Sequence, residues 1–145
     1  MRTRIVIAVV GLFVVVGLLS AWPPQPRPRI IVGYPQIIDG DTIKIKGQPI
    51  RLAGIDAEEL SEPHGIEARK AMTAIIGGGL VTCEDTGERS HNRIVATCRT
   101  MIGTDIGQAI VAFGAALDCA RYSAGRYRAY EPQGIRAHLR QKPYC

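Results

Sequence analysis

The segment IDGDTIKIKGQPIRLAGIDAEE, residues 38–59, contains the clearest strand pattern of the chain and several closely spaced acidic and basic residues. Within it, isoleucines alternate with polar residues from Thr42 to Lys46, which is the pattern of a half-buried strand. Gly47-Gln48-Pro49 predicts a turn, and Ile50 to Ile55 predicts a strand that returns beside the first. The segment therefore predicts two paired strands with acidic residues near both of its ends.

Further elements flank this pair of strands. Ile30 to Ile38 predicts an earlier strand that an internal glycine and proline make irregular or place at an edge. Apolar residues at helical spacing from Ala68 to Ile76 predict a helix that ends at three glycines. Leu80 to Glu84 and Ile94 to Arg99 predict two short strands around a polar turn near Gly87.

Two more helical segments complete the domain. Asp105 can cap a second helix that ends near Gly114, with Gln108 reaching back to the cap. Tyr127 to Arg140 predicts a last helix, weakened by an internal proline and glycine. The order predicts an α+β, mainly β domain, a five-stranded OB-fold Greek-key barrel with three helices.

The first 29 of the 145 residues lie outside this domain. Arg2 and Arg4 precede an apolar run from Ile5 to Trp22, so residues 1–22 predict a signal peptide or an uncleaved N-terminal membrane anchor. Residues 23–29 form a proline-rich linker, and the domain occupies residues 30–145. We therefore expect an exported protein, periplasmic or secreted, and attached to the cytoplasmic membrane if the run is retained.

The four cysteines agree with export. No C-x-x-C spacing is present, which argues against a zinc ribbon. An even number of cysteines in a small exported domain favours disulfides over unrelated buried thiols. Cys83 and Cys98 lie on strands joined by one hairpin, and Cys119 with Cys145 would attach the chain end to the domain, so we predict the pairs Cys83–Cys98 and Cys119–Cys145.

Acidic residues gather at one end of the two central strands. Asp39-Gly40-Asp41-Thr42 precedes the first strand, and Asp56 and Glu59 follow the second. Taken alone, the first group is explained as an ordinary turn. Together, the two groups can supply the convergent oxygen ligands that a hard cation such as calcium requires.

Two arginines accompany these acids. Arg51 lies between apolar residues on a strand, and Arg93 begins the strand after the polar hairpin. A guanidinium matches phosphate through two parallel charge-assisted hydrogen bonds. The alternative is that both arginines form surface ion pairs. The net charge of +5 permits a polyanionic ligand without requiring one.

Taken in order, these motifs resemble the signature of the staphylococcal nuclease (thermonuclease) family over roughly residues 30–122. The segments that carry the resemblance are residues 38–42, 50–52, 54–59, 65–68, 93–96, 103–106 and 113–116. The family's members hydrolyse phosphodiester bonds of DNA and RNA. The resemblance therefore implies a nuclease on an OB-fold domain.

The resemblance also implies roles for individual residues. Asp41, Asp56 and the backbone carbonyl of Ala57 would bind one calcium ion, and Glu59 would act as general base on the attacking water. Arg51 and Arg93 would be catalytic residues that grip the phosphate. Tyr122 matches a nucleotide-contacting tyrosine of the family.

Three departures from the family pattern affect the margin of this site. Ala57-Glu58 replaces the usual threonine and proline, which predicts a looser loop and a competing negative charge beside Glu59. His91-Asn92 replaces a tyrosine and glycine, and we assign His91 either to substrate binding or to a solvated turn. Ala120 stands where the family has a second stacking tyrosine.

Three functions remain open on the sequence. The first is a calcium-dependent nuclease that acts on DNA or RNA, expected to be a monomer. The second is an OB-fold binding module that cleaves weakly. The third is a thermonuclease-like accessory protein of exopolysaccharide biosynthesis of the succinoglycan type, an idea that rests on family association alone.

Overall fold

The computed structural model describes residues 27–145, and the predicted leader lies outside them. The strands are β1 (Ile30–Gly33), β2 (Gln36–Ile37), β3 (Thr42–Ile45), β4 (Gln48–Leu52), β5 (Ile55–Asp56), β6 (Val81–Ser90), β7 (Arg93–Thr100) and β8 (Leu117–Asp118). The helices are α1 (Gly65–Ile76), α2 (Ile106–Ala112) and α3 (Ala120–Ser123), followed by 3₁₀ turns at Arg128–Tyr130 and Ile135–Ala137. None of the helices in this range is long and apolar enough to cross a membrane.

Six of the strands form one sheet in the order β1-β6-β7-β4-β3-β2. Only Tyr34 and Pro35 separate β1 from β2, so the two edges of the sheet are halves of one bent strand. Proline interrupts a strand because it has no N–H to donate. The sheet is therefore a barrel of five strands, and β4 and β7 form its parallel pair. This confirms the predicted OB-fold architecture and the mainly β class.

The barrel interior follows from the alternation seen in the sequence. Side chains at every second position of β3 and β4 point inward, so Ile43, Ile45 and Ile50 are fully buried. The buried face of α1, which includes Ala68 and Met72, belongs to the same core, as does α2. Burial of this apolar surface is the main stabilising contribution to the domain.

Three predicted elements were wrong in their boundaries. The turn predicted at Gly47-Gln48-Pro49 lies at Lys46-Gly47, and Gln48 and Pro49 already belong to β4. The turn of the long hairpin lies at His91-Asn92, not near Gly87, because Gly87 at φ +85° takes up an irregularity of β6 between Asp85 and Arg89. The predicted third strand is divided into β4 and β5 by a turn at Ala53-Gly54. β5 pairs with β8 in a separate two-stranded sheet.

The last predicted helix, Tyr127–Arg140, was also wrong. This stretch contains the two 3₁₀ turns, and between them lie Pro132 and Gly134, the latter at φ +78°. Neither residue suits a helix interior. The third helix is instead the single turn of α3, which precedes this stretch.

Candidate active site

Arg51 lies at the centre of the polar cluster. It is on β4, and its Nη1 donates to Asp41 Oδ2 at 2.7 Å. Its Nη2 lies 3.7 Å from Asp56 Oδ1 and donates to the carbonyl of Ile55 at 3.3 Å. The structure thus brings Asp41, Arg51 and Asp56 together, as the predicted site requires.

Gly54 makes this convergence possible. Arg51 and Asp56 are five residues apart, and an unbroken strand would direct their side chains to opposite faces. At Gly54 the backbone has φ +75°, a conformation that favours glycine, and a Cβ there would lie 2.8 Å from Cβ of Ser123. A bend at Gly54 therefore brings the two side chains to one face, and it also lets α3 approach the loop.

Asp41 is held by a tight turn before β3. Its backbone N–H donates to Asp39 Oδ1 at 2.9 Å, which is the usual stabilisation of an aspartate turn. Gly40 allows close packing, since a Cβ there would lie 2.6 Å from Cβ of Ala68 and 2.7 Å from Cβ of Ala57. The turn explanation is thus correct, and the turn fixes the position of Asp41 beside Arg51.

Both aspartates of the cluster are buried. Burial raises the pKa of Asp41 to about 6, although Arg51 opposes this shift. Burial likewise raises the pKa of Asp56, opposed by the backbone N–H of Lys142 and by Arg51. Asp56 Oδ1 is buried and makes no hydrogen bond within residues 27–145. A carboxylate oxygen in that condition is suited to a further positive ligand.

The donor set fits a hard cation only with help from the backbone. No three His, Cys, Asp or Glu side chains within the described range gather into a metal-binding group. Asp41 and Asp56 supply carboxylate oxygens, and Ala57 donates its N–H to Asp41 Oδ2 at 3.3 Å, which places this residue beside the pair. Two carboxylates, a carbonyl and solvent form an oxygen-only set of the kind calcium accepts.

Thr42 connects the two arginines, a role that was not predicted from the sequence. Its hydroxyl donates to Asp41 Oδ1 at 3.0 Å and accepts from Arg93 Nη1 at 2.9 Å. Arg93 is also held by Ser90 Oγ, which accepts from Nη2 at 3.1 Å. A continuous hydrogen-bonded chain therefore runs from Arg93 through Thr42 and Asp41 to Arg51. In the sequence, the hydroxyl residue directly after Asp41 was the signal that could have indicated this role of Thr42.

Glu59 does not join this chain. Its side chain is exposed and makes no hydrogen bond in the described part of the molecule, while its backbone N–H donates to Glu62 Oε2 at 2.6 Å. The carboxylate is thus exposed to solvent at the surface of the loop that begins at Asp56. The structure brings the loop to the cluster and leaves this side chain unpaired within residues 27–145.

The expectation for Glu58 was wrong. It is buried, and instead of competing with Glu59 it anchors the loop. Its Oε2 accepts from the backbone N–H of His64 at 2.9 Å and its Oε1 from that of Arg140 at 3.0 Å. These bonds fix this loop, which has no proline between Asp56 and Glu59.

The chain end is the part of the site that the sequence analysis missed most completely. The backbone N–H of Lys142 donates to Asp56 Oδ2 at 2.8 Å, and its Nζ donates to Glu62 Oε1 at 2.5 Å. We call residues 140–145 the C-terminal segment. Through Arg140 and Lys142 it holds the loop that carries Asp56, Glu58 and Glu62. Only the predicted disulfide to Cys145 indicated its approach.

A cavity of about 610 Å³ opens beside the cluster. Arg51 and Arg93 line it, and so do both residues assigned to substrate binding, His91 and Tyr122. His91 is exposed in the hairpin turn at φ +56°, and Tyr122 projects from α3. Tyr144 of the C-terminal segment forms another part of the wall.

Both predicted disulfides are present. Cys83 and Cys98 are directly opposite on β6 and β7, with Cα atoms 4.0 Å apart. Cys119 and Cys145 join the start of α3 to the chain end, with Cα atoms 4.7 Å apart. No free cysteine occurs between residues 27 and 145.

Two comparisons with known proteins bear on this site. The chain is 32% identical over 108 residues to the succinoglycan biosynthesis protein ExoI of Rhizobium meliloti (strain 1021), a match that covers 67% of this chain and 56% of ExoI. It is 29% identical over 92 residues to a protein of Escherichia coli named an uncharacterized endonuclease, covering 61% of this chain and 60% of that protein. The match thus spans less than two thirds of either relative. No protein-family model matches the chain.

Proposed function

We propose that this protein is an exported nuclease that hydrolyses phosphodiester bonds of DNA or RNA in a calcium-dependent reaction. The main support for this proposal is the hydrogen-bonded chain from Arg93 through Thr42 and Asp41 to Arg51. Both of its arginines line one cavity. Similarity to a protein named as an endonuclease supports the same reaction class.

The arginines would bind the scissile phosphate. Each guanidinium is held by protein acceptors, Arg51 by Asp41 and Arg93 by Thr42 and Ser90, so its orientation is fixed before substrate arrives. Donors that are already oriented stabilise charge developing at phosphorus without a reorganisation cost during the reaction. A planar fork also provides two parallel hydrogen bonds to one phosphate.

Asp41, Asp56 and the carbonyl of Ala57 would hold the divalent cation. When bound, the cation would supply positive charge against the negative charge that builds on the phosphate. A bound cation would also offset the free-energy cost of burying two carboxylates, and it would give Asp56 Oδ1 a partner.

Glu59 would take the proton from the attacking water. It is exposed and unengaged within the described residues, so its carboxylate can accept a proton and release it to solvent. Lys142 and Glu62, which pair with each other, flank the same loop and keep the backbone of Glu59 in place. General-base catalysis by one positioned carboxylate contributes about 10²–10⁴-fold to a rate.

The decisive experiment is cleavage of single-stranded DNA by the purified protein and by Glu59→Gln, each with calcium and with chelator. We expect Glu59→Gln to lower the rate constant kcat by about 10²–10⁴-fold with no change in unfolding temperature. Glu67→Gln, the same chemical change on the exposed surface of α1, is the matched control and should leave kcat unchanged. Wild-type cleavage that persists in chelator would contradict the calcium requirement.

A second candidate is a binding module that uses the same cavity without cleavage. The observation that favours it is the absence of any hydrogen bond, within residues 27–145, between Glu59 and the Arg51 cluster. Calcium-independent binding of single-stranded DNA, with no cleavage that Glu59→Gln abolishes, would replace the nuclease proposal with this one.

The name of ExoI supports a third candidate, an accessory role in exopolysaccharide biosynthesis. A strain in which the gene is deleted can be complemented with the wild-type protein or with Glu59→Gln. This experiment distinguishes the accessory role from the nuclease function. Equal restoration of polysaccharide by both would show a role that needs no cleavage.

A further inference from the structure

Two aromatic side chains form part of the wall of the cavity beside the arginines. Tyr122 reaches it from α3 and Tyr144 from the C-terminal segment. Each retains about half of its accessible surface, 52% for Tyr122 and 46% for Tyr144. Burial raises the pKa of the Tyr144 hydroxyl and Arg51 opposes the shift, which places this ring within electrostatic reach of the phosphate-binding arginine.

The backbone on both sides of Tyr144 is fixed. Lys142 to Cys145 form a turn closed by a hydrogen bond from the N–H of Cys145 to the carbonyl of Lys142 at 3.1 Å. Pro143 occupies the second position of the turn, where its restricted φ is favourable. On one side the N–H of Lys142 is bound to Asp56, and on the other Cys145 is bonded to Cys119.

A fixed, half-exposed ring is well suited to binding an aromatic ligand. Because the C-terminal segment is already ordered when the protein folds, ligand binding loses little further conformational entropy there. Bases stack on aromatic side chains regardless of sequence, and the positively charged groups beside them bind the backbone. The distribution of aromatic and arginine residues around this cavity matches that division.

We propose that Tyr144 is a base-binding residue, whose ring stacks on a nucleobase of single-stranded nucleic acid while the adjacent phosphate lies at Arg51 and Arg93. The inference rests on the proposed nuclease function and adds to it a specific base subsite built by the C-terminal segment. It makes the base, and not only the phosphodiester, a part of what this site selects.

The test compares two ligands in the presence of calcium. One is a fluorescently labelled single-stranded oligonucleotide, and the other is an abasic oligonucleotide of the same length and charge. Binding is measured by anisotropy in the Glu59→Gln background, in which we expect cleavage to be about 10²–10⁴-fold slower. The variants are Tyr144→Ala, which removes the ring, and Tyr144→Phe, which keeps it.

We expect Tyr144→Ala to weaken binding of the base-containing oligonucleotide about 5- to 150-fold, the range given by loss of one base–aromatic stack. Tyr144→Phe should bind like its parent, and the abasic ligand should bind Tyr144→Ala and its parent equally. Mass spectrometry of the intact Cys119–Cys145 disulfide and an unchanged unfolding temperature establish that the segment is still in place.

Each other outcome has a distinct meaning. Equal weakening of both ligands would show that Tyr144 serves the phosphate or the fold, and unchanged binding would show that it serves neither ligand; both overturn the inference and leave the nuclease proposal standing. If the wild-type protein neither cleaves nor binds single-stranded nucleic acid, the proposed function fails and this inference fails with it.

Discussion

Cys83–Cys98 and Cys119–Cys145 close loops of 15 and 26 residues. Cys83, Cys98 and Cys119 are buried, and Cys145 is partly exposed. In the chain-entropy model, loops of these lengths contribute about 3 and about 3.5 kcal/mol to stability. A difference of about 0.5 kcal/mol is too small to assign the bonds different thermodynamic roles. What separates them is the part of the molecule that each one holds.

The first disulfide joins strands that are already paired. β6 and β7 are hydrogen-bonded on both sides of Cys83 and Cys98, and the barrel keeps them in register. The second joins α3 to a segment with no regular structure, whose N–H groups bind Glu58 and Asp56. One bond therefore reinforces a region that is ordered without it, and the other orders a region that contacts the site.

The strongest test of this difference between the two disulfides is to remove each of them separately. Cys119→Ala/Cys145→Ala should lower kcat/KM for single-stranded DNA about 10- to 100-fold, because small displacements of positioning groups carry costs of that order. Cys83→Ala/Cys98→Ala should change kcat/KM by less than about 3-fold at a temperature where it is folded, since its loss is felt in stability. Steady-state cleavage assays measure both.

Urea unfolding supplies the control. Loop entropy predicts losses of about 3 kcal/mol for Cys83→Ala/Cys98→Ala and about 3.5 kcal/mol for Cys119→Ala/Cys145→Ala. Cys83→Ala/Cys98→Ala should lose a further amount because its cysteines are in the barrel core. If Cys119→Ala/Cys145→Ala keeps full activity while losing stability, the C-terminal segment is held by its other contacts and the proposed contrast is wrong.

The same contrast separates what the sequence predicts from what it does not. The barrel was predictable because alternation in β3 and β4 is a local pattern that dictates which face is buried. The convergence of Arg51 on Asp41 and Asp56 followed from an ordered set of motifs over a short stretch. Both features depend on neighbours in sequence.

The contribution of the C-terminal segment was not predictable in this way. Its hydrogen bonds join Arg140 to Glu58 and Lys142 to Asp56 across 82 and 86 residues, and no local pattern specifies such a register. Glu58 illustrates the consequence, since its sequence position suggests a stray surface charge and its partners make it a buried anchor. The C-terminal disulfide indicated that the segment returns, but not which groups it contacts.

A second prediction concerns the loop that the segment holds, and uses neighbouring residues as a matched pair. Glu58→Gln leaves one acceptor oxygen for two partly buried backbone N–H donors, so one of these donors loses a hydrogen bond to a charged group at a cost of about 1–3 kcal/mol. Glu59→Gln is exposed and should cost no measurable stability. Urea unfolding of the two variants should show this difference.

In cleavage activity, the order of the two variants should be reversed, with Glu59→Gln the more strongly affected. Glu58→Gln keeps the proposed base and should retain more cleavage than Glu59→Gln at a temperature where both are folded. Equal stability of the two variants would mean that Glu58 does not connect the loop to the C-terminal segment, and the second half of the comparison would lose its structural basis.

The smallest expected effect lies at Tyr127, where the chain leaves α3 toward the C-terminal segment. Its ring is buried, and its hydroxyl donates to the two oxygens of Asp105, the residue that caps α2, at 3.3 Å each. Tyr127→Phe keeps the packing and removes these bonds, so we expect a loss of about 1 kcal/mol of unfolding free energy. Cleavage should be unchanged, because the Tyr127 hydroxyl contacts the cap of α2 and not the loop that carries Asp56 and Glu59.

The pH dependence of that loss gives a further check. Burial, reinforced by the charge of Asp105, raises the pKa of Tyr127 from 10.0 to about 12. The folded state therefore binds this proton more tightly than the unfolded state, so the contribution is complete below pH 10 and is lost as pH rises toward 12. Urea unfolding at pH 8 and again above pH 10 should show the wild type losing stability faster than Tyr127→Phe, with Tyr130→Phe, an exposed ring, following the wild type. A variant whose stability falls in parallel with the wild type would show that Tyr127 does not titrate with folding, and the region between α3 and the C-terminal segment would then be held by packing alone.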